Sequence, residues 1–134
     1  MTDQAPLPET PNLPEAPTLP ESPASPDLRA VPDLWAAIDD LWTWLDANRP
    51  HSGREGMLLR MLKLSEEVGE VAEAVIGATG QNPRKGVTHT WEDVQGELCD
   101  VVITALVALR TLTPDTREVF TGHLAKVTAR SLGG

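Results

Sequence analysis

Residues 91–112 read WEDVQGELCDVVITALVALRTL, and no stretch of the chain constrains the fold more. From Val101 to Leu109 the chain carries no charge, and the next charged residue is Arg110. At about 100° per residue, apolar side chains then cover almost the whole circumference of a helix. They leave only a narrow strip of Asp93, Glu97, Asp100 and Thr104. A helix that is apolar nearly all round is expected to be buried. Glu97 and Asp100 must then face something other than bulk water. An ionised carboxylate is costly to bury unless it is paired or coordinates a metal.

The same pattern extends to both sides. Thr90 with Asp93 resembles a capping box at the start of this helix. Before it, Gly77, Gly80 and Asn82-Pro83 end a helix predicted over about 54–78. That helix carries Met57, Met61, Leu64, Val68, Val71 and Val75 on a wide apolar arc. A first helix over about 33–48, with Pro32 at its start, places Trp35, Ile38, Leu41, Trp42 and Leu45 on one face. Thr113-Pro114 opens a fourth, over about 114–131, which is only moderately apolar (Val119, Phe120, Leu124, Val127). No period-two run of β-branched residues competes. The expected fold is all-α, a four-helix bundle-type arrangement.

The chain has 134 residues, room for one domain. Its single cysteine, Cys99, excludes an internal disulfide and a Cys-built zinc site, and suits a reducing cytoplasm. No stretch approaches the roughly 20 apolar residues of a membrane span. The formal net charge is -9, which disfavours polymeric nucleic acid and anionic membranes as partners. That charge has two sources. Residues 1–30 hold five acids and one base. The window 66–100 holds eight acids against Arg84 and Lys85, and the rest of 31–134 is close to neutral.

Residues 1–30 have prolines at every third position from Pro8 to Pro26, with acids at Glu9, Glu15, Glu21 and Asp27. Such a segment has almost nothing to bury and reads as a disordered proline/acid-rich tail. A polyproline II conformation would align its prolines and offer them to a proline-recognising partner. The folded domain is expected over 31–134.

The acidic window has a geometry. Glu66, Glu67, Glu70 and Glu73 lie within about 120° of one another on the second helix. Like charges at these spacings destabilise a helix, and only Lys63 lies on the stripe to offset them. A solvated acidic face would explain this helix taken alone. Facing the Glu97/Asp100 strip, with too few bases to neutralise both, it points instead to divalent cations. An all-oxygen set suits a hard ion, Mg²⁺ or Mn²⁺, which takes further ligands from substrate phosphates. Di-iron bundles pair carboxylates with Glu-x-x-His, and none of His51, His89 and His123 stands three after a glutamate.

Glu66-Glu67-x-x-Glu70, then 26 residues, then Glu97-x-x-Asp100 resembles the signature of the all-α nucleoside triphosphate pyrophosphohydrolases, in their MazG-like branch. The surrounding LKLSEEVGEVAEAVIG and WEDVQGELCDVVITALVAL are similar to that family too, over roughly 57–112. The resemblance implies a Mg²⁺-dependent enzyme that cleaves a nucleoside triphosphate to the monophosphate and pyrophosphate, as house-cleaning or nucleotide-pool control. It implies a homodimer or homotetramer. By motif position, Glu67, Glu70, Glu97 and Asp100 resemble the metal ligands. Glu66, which some members lack, would orient or deprotonate the attacking water, or hold a further metal.

Around that core stand further candidates. Lys63 fits either an ion pair with Glu67 or a phosphate contact. Arg84, Lys85, Lys126 and Arg130 are candidate phosphate grips. Trp35 and Trp42 read either as a core pair or as stacking surfaces for a base, and Trp91 as a packing cap or a third such surface. Trp44 points off the apolar face, toward a subunit interface or a ligand pocket. Gly69 and Gly96 suggest close helix approach, Cys99 a small buried hydrophobe, and His123 a structural role. The competing function is a non-catalytic metal- or nucleotide-binding helical module, regulatory or scaffolding. A related enzyme, phosphoribosyl-ATP pyrophosphohydrolase, is the second alternative.

Overall fold

The computed structural model describes residues 33–133. They form four helices and, among the described residues, no strand: α1 (Leu34–Asn48), α2 (Gly53–Thr79), α3 (Trp91–Leu112) and α4 (Thr116–Leu132). The all-α bundle expected from periodicity is observed. The proline-rich tail, with its proposed proline-reading partner, lies outside the described residues.

Each boundary has a local cause. Asp33 caps α1, its carboxylate accepting from the Trp35 N–H at 3.3 Å, and Leu34 is the first helical residue. Gly80, in the left-handed conformation at φ 63°, ends α2 and donates its N–H to the Ile76 carbonyl. The capping box at α3 is present in full. Asp93 N–H donates to Thr90 Oγ1 at 3.2 Å, and Thr90 N–H donates to Asp93 Oδ2 at 2.8 Å. The hydrogen bond from Thr90 holds the Asp93 carboxyl below its usual range. α4 starts at Thr116, two residues later than the Pro114 signal suggested, with Asp115 in the capping position.

α2 and α3 pair as an antiparallel hairpin. Gly77 meets Thr88 and His89 at the closed end, Glu70 meets Glu97 in the middle, and Lys63 and Thr104 border one groove farther out. The closed end needs Gly77, because a Cβ there would collide with the His89 ring. Thr88 N–H then reaches the Gly77 carbonyl at 3.0 Å.

α1 lies against the C-terminal half of α3. Ile38, Leu106 and Val107 form the buried cluster, with Trp35 and Trp42 packed on it. Trp42 donates its indole N–H to Thr111 Oγ1 at 3.2 Å. The Arg110 guanidinium sits 4.1 Å over the Trp42 ring, and its Nε donates to Asp39 at 2.8 Å. α4 packs lightly, its Phe120 ring 5.8 Å from that of Trp35.

Three expectations are corrected. α3 is not buried all round: Leu98, Val102 and Ile103 are exposed, because only α1 and α2 cover it along this length. Cys99 is exposed for the same reason. Gly69 and Gly96 face open space, with nothing within 4 Å of a Cβ at either position, so they do not mark close helix approach. No helix among the described residues is long and apolar enough to cross a membrane.

Candidate metal centre

The centre forms where the α2 stripe faces α3. Glu67, Glu70 and Glu97 each offer a carboxylate oxygen, and these oxygens lie within 4.8 Å of one another. Glu67 and Glu70 are i,i+3 on α2, so they stand one above the other on one face. The antiparallel pairing then brings Glu97 across from them. Glu67 is 7% exposed, and it is the one buried charged residue among those described.

Lys63 holds this carboxylate. Its Nζ lies 3.0 Å from Glu67 Oε1 and 3.0 Å from Glu66 Oε2. Of the two alternatives for Lys63, the ion pair with Glu67 is present, and Glu66 shares it. The hydrogen bonds to Glu66 and Glu67 push the Lys63 ammonium above its usual range. The hydrogen bond from Lys63 holds Glu67 below the ordinary carboxylate range, outweighing its burial. Glu70 moves the other way. Its hydrogen bond to Glu67 and the negative charge of that neighbour raise it, with burial and Glu97 adding to the shift. One carboxylate of the group is thus kept charged by a lysine while the next resists ionisation.

Such a set fits a small hard cation. Octahedral Mg²⁺ binds oxygen at about 2.1 Å, which places its ligands about 3 Å apart when adjacent and about 4 Å apart when opposite. Oxygens gathered within 4.8 Å need only small side-chain adjustments to reach that geometry. The raised Glu70 is what three acids produce when, among the described residues, one ammonium stands paired with the group. Mn²⁺ fits the same oxygen donors.

The other candidates sort by position. Asp100 is exposed and stands outside the three-carboxylate group. Glu66 is exposed beside it, tied to Lys63. Trp35 and Trp42 are half-buried on the core cluster, as the core-pair alternative has it. Trp91 is exposed at the start of α3. Lys85 borders a smaller cavity of about 400 Å³ that also contains Glu73 and His89. Arg84 is exposed on the same loop, its backbone N–H donating to Asn82 Oδ1 at 3.0 Å. Lys126, Arg130 and His123 are exposed on α4. Among the described residues, the group of possible metal-holding acids and histidines is Glu67, Glu70 and Glu97, without Asp100, Glu66, Glu73, His89 or His123.

Sequence reasoning missed Arg60. It lines a groove of about 520 Å³ between α1, α2 and α3 that also takes in Trp44, Leu45, Lys63, Ile103 and Thr104. Lys63 thus borders the groove and the carboxylate group at once. The available signal was spacing: Arg60 stands seven residues, two turns, before Glu67 on the same face of α2. Trp44, assigned from sequence to an interface or a pocket, lines this groove. Compared with protein-family models, curated proteins and solved structures, the chain matches none, so the functional conclusion rests on the resemblance of its motifs and on this geometry.

Proposed function

We propose that the protein is a Mg²⁺-dependent nucleoside triphosphate pyrophosphohydrolase, converting a nucleoside or deoxynucleoside triphosphate to the monophosphate and pyrophosphate. The observation that carries this is the convergence of Glu67, Glu70 and Glu97 from two helices, beside a groove of ligand size. Motif resemblance supplies the substrate class. Asp100, one turn after Glu97, would complete the ligand set once a side-chain rotation brings it inward.

Water adds across the α–β anhydride. The α-phosphorus gains the water oxygen, the bridging oxygen leaves with pyrophosphate, and the water proton passes to a carboxylate. Glu66, exposed and paired with Lys63, would be that acceptor. A cation held by Glu67, Glu70 and Glu97 would polarise the phosphoryl oxygen and acidify the water. Were a cation to take Glu67, the Lys63 ammonium paired with it would become available to a substrate phosphate. Exposed apolar residues on α3 and α4, among them Val102 and Leu124, support assembly as a homodimer or homotetramer. The single cysteine supports a cytoplasmic address.

The test is a panel of the common nucleoside triphosphates incubated with Mg²⁺ while pyrophosphate is measured. Release from at least one of them, lost in Glu67→Gln, supports the hydrolase. A second reading, a metal- or nucleotide-sensing module, draws on Asp100 standing outside the group. Thermal stabilisation by Mg²⁺ with no turnover of any nucleotide would establish it instead.

A further inference from the structure

α4 is held at one end only. Thr116 is buried and the Phe120 ring meets Trp35, but from Thr121 to Leu132 only Val127 is even half-buried. Phe120, Leu124, Val127 and Ser131 stand at i, i+4, i+7 and i+11, which gathers them on one stripe of the helix. α3 carries a counterpart. Trp91, Gln95, Leu98 and Val102 repeat that spacing, and all four are exposed. None of them lines the groove between α1, α2 and α3, so this strip is not part of the groove. Each strip extends over eleven residue steps, about 16 Å of helix.

Little inside the chain compensates for these open faces. Among the described residues the buried apolar side chains are Ile38, Ala74, Val94, Leu106, Val107 and Ala108, a small core for a domain of about 100 residues. Charge then decides which faces two copies can bring together. α4 holds Arg117, Lys126 and Arg130 against Glu118. The window 66–100, which contains most of the α3 strip, holds eight acids against two bases. Two hairpins set face to face would repel, and so would two α4 helices. α4 of one copy against α3 of another joins opposite signs and equal spacings.

We propose that two copies of the chain associate by reciprocal exchange, each laying its α4 stripe along the Trp91–Val102 strip of the other. A second copy is the natural occupant, because one chain carries both halves of the contact and a two-fold axis satisfies both at once. Helices that meet on such stripes interdigitate their side chains, so Leu124 and Val127 would fill the space beside Leu98 and Val102. The inference goes beyond a homodimer or homotetramer as such by assigning the surfaces that meet. It does not depend on the hydrolysis of any nucleotide.

The experiment is light scattering on the full chain without nucleotide, with helicity verified by circular dichroism. Wild type should have at least twice the mass of one chain. Val102→Lys and Leu124→Glu, both at positions exposed in the single chain, should each weaken association about 100-fold or more. An equimolar mixture of the two variants should recover the wild-type mass. In the mixed pair one contact is native, and the other sets the introduced lysine opposite the introduced glutamate. If either variant fails to fold, cross-linking with a bismaleimide serves instead. Wild type, which reacts only through Cys99, should couple across chains to a Cys99→Ser, Ser131→Cys protein. Monomeric wild type, association weakened by one substitution alone or by neither, a mixture that stays dissociated, or absence of that coupling overturns the exchange. Weakening by Leu124→Glu alone would pair α4 with α4, and by Val102→Lys alone α3 with α3. Pyrophosphate release by a monomeric protein would keep the hydrolase and remove this inference. Reciprocal association without release from any triphosphate would do the reverse.

Discussion

Lys63 Nζ lies 3.0 Å from the buried carboxylate of Glu67, where a metal-binding site would put its cation. The ammonium is half-exposed and shared between Glu67 and Glu66. Without Mg²⁺, Lys63→Met should lower the melting temperature, because Glu67 loses its partner. With saturating Mg²⁺ the difference should narrow, since the cation takes over the charge. A melting-temperature gap of equal size in both conditions would mean that Lys63 and the cation do not share Glu67.

Glu70 supplies a pH dependence. Its carboxyl, raised by Glu67, holds a proton over the interval between the ordinary carboxylate range and its shifted value. A cation must displace that proton. Mg²⁺ affinity should therefore rise as pH climbs through this interval and level off above it. Folding stability runs oppositely over the same interval, because the folded state binds the extra proton there and loses stability as pH rises. Calorimetry in buffers of different ionisation enthalpy reads the released proton directly. Glu70→Gln should abolish the release.

The glycines divide by what surrounds them. Gly69→Ala and Gly96→Ala each meet open space within a helix and should stabilise by about 0.5–1 kcal/mol. Gly77→Ala drives a methyl group into the His89 ring and should destabilise by about 1–3 kcal/mol. Chemical denaturation of the three variants measures all of this. An equal effect at the three sites would contradict the packing of the 80–90 loop on α2.

Ile38 is the largest fully buried side chain, wedged against Leu106 and Val107. Ile38→Ala should cost about 2–4 kcal/mol. Trp42→Phe loses the bond to Thr111 Oγ1 and should lower stability while leaving nucleotide binding unchanged. Weaker nucleotide binding in that variant would restore Trp42 as a base-stacking surface.

The helices and the α2–α3 pairing were legible because periodicity, caps and glycine stops act locally. Thr90 with Asp93 specifies a helix start whatever the rest of the chain does. Burial was harder, because it depends on what covers a face and not on the face alone. α3 is apolar enough to be enclosed, yet one chain has too few helices to enclose Leu98, Cys99 and Val102. Three of the four ligands implied by motif spacing converge, since Glu67, Glu70 and Glu97 share a face and a level. Asp100, one turn farther along α3, is turned out to solvent in the single chain. Arg60 escaped notice because an arginine on an amphipathic helix is ordinarily a solvated charge, and only its enclosure distinguishes it.

The central claim is that carboxylates from two helices act together on a nucleotide through Mg²⁺. Glu97→Gln tests it most directly, because it removes the one charge that α3 contributes to the group and leaves the Lys63–Glu67 pair in place. Pyrophosphate release by wild type and variant should be compared at saturating Mg²⁺ on the best triphosphate, with helicity verified by circular dichroism. The expected result is a loss of about 100-fold or more in a fully folded variant. Undiminished release by a folded Glu97→Gln protein would contradict a site shared between α2 and α3.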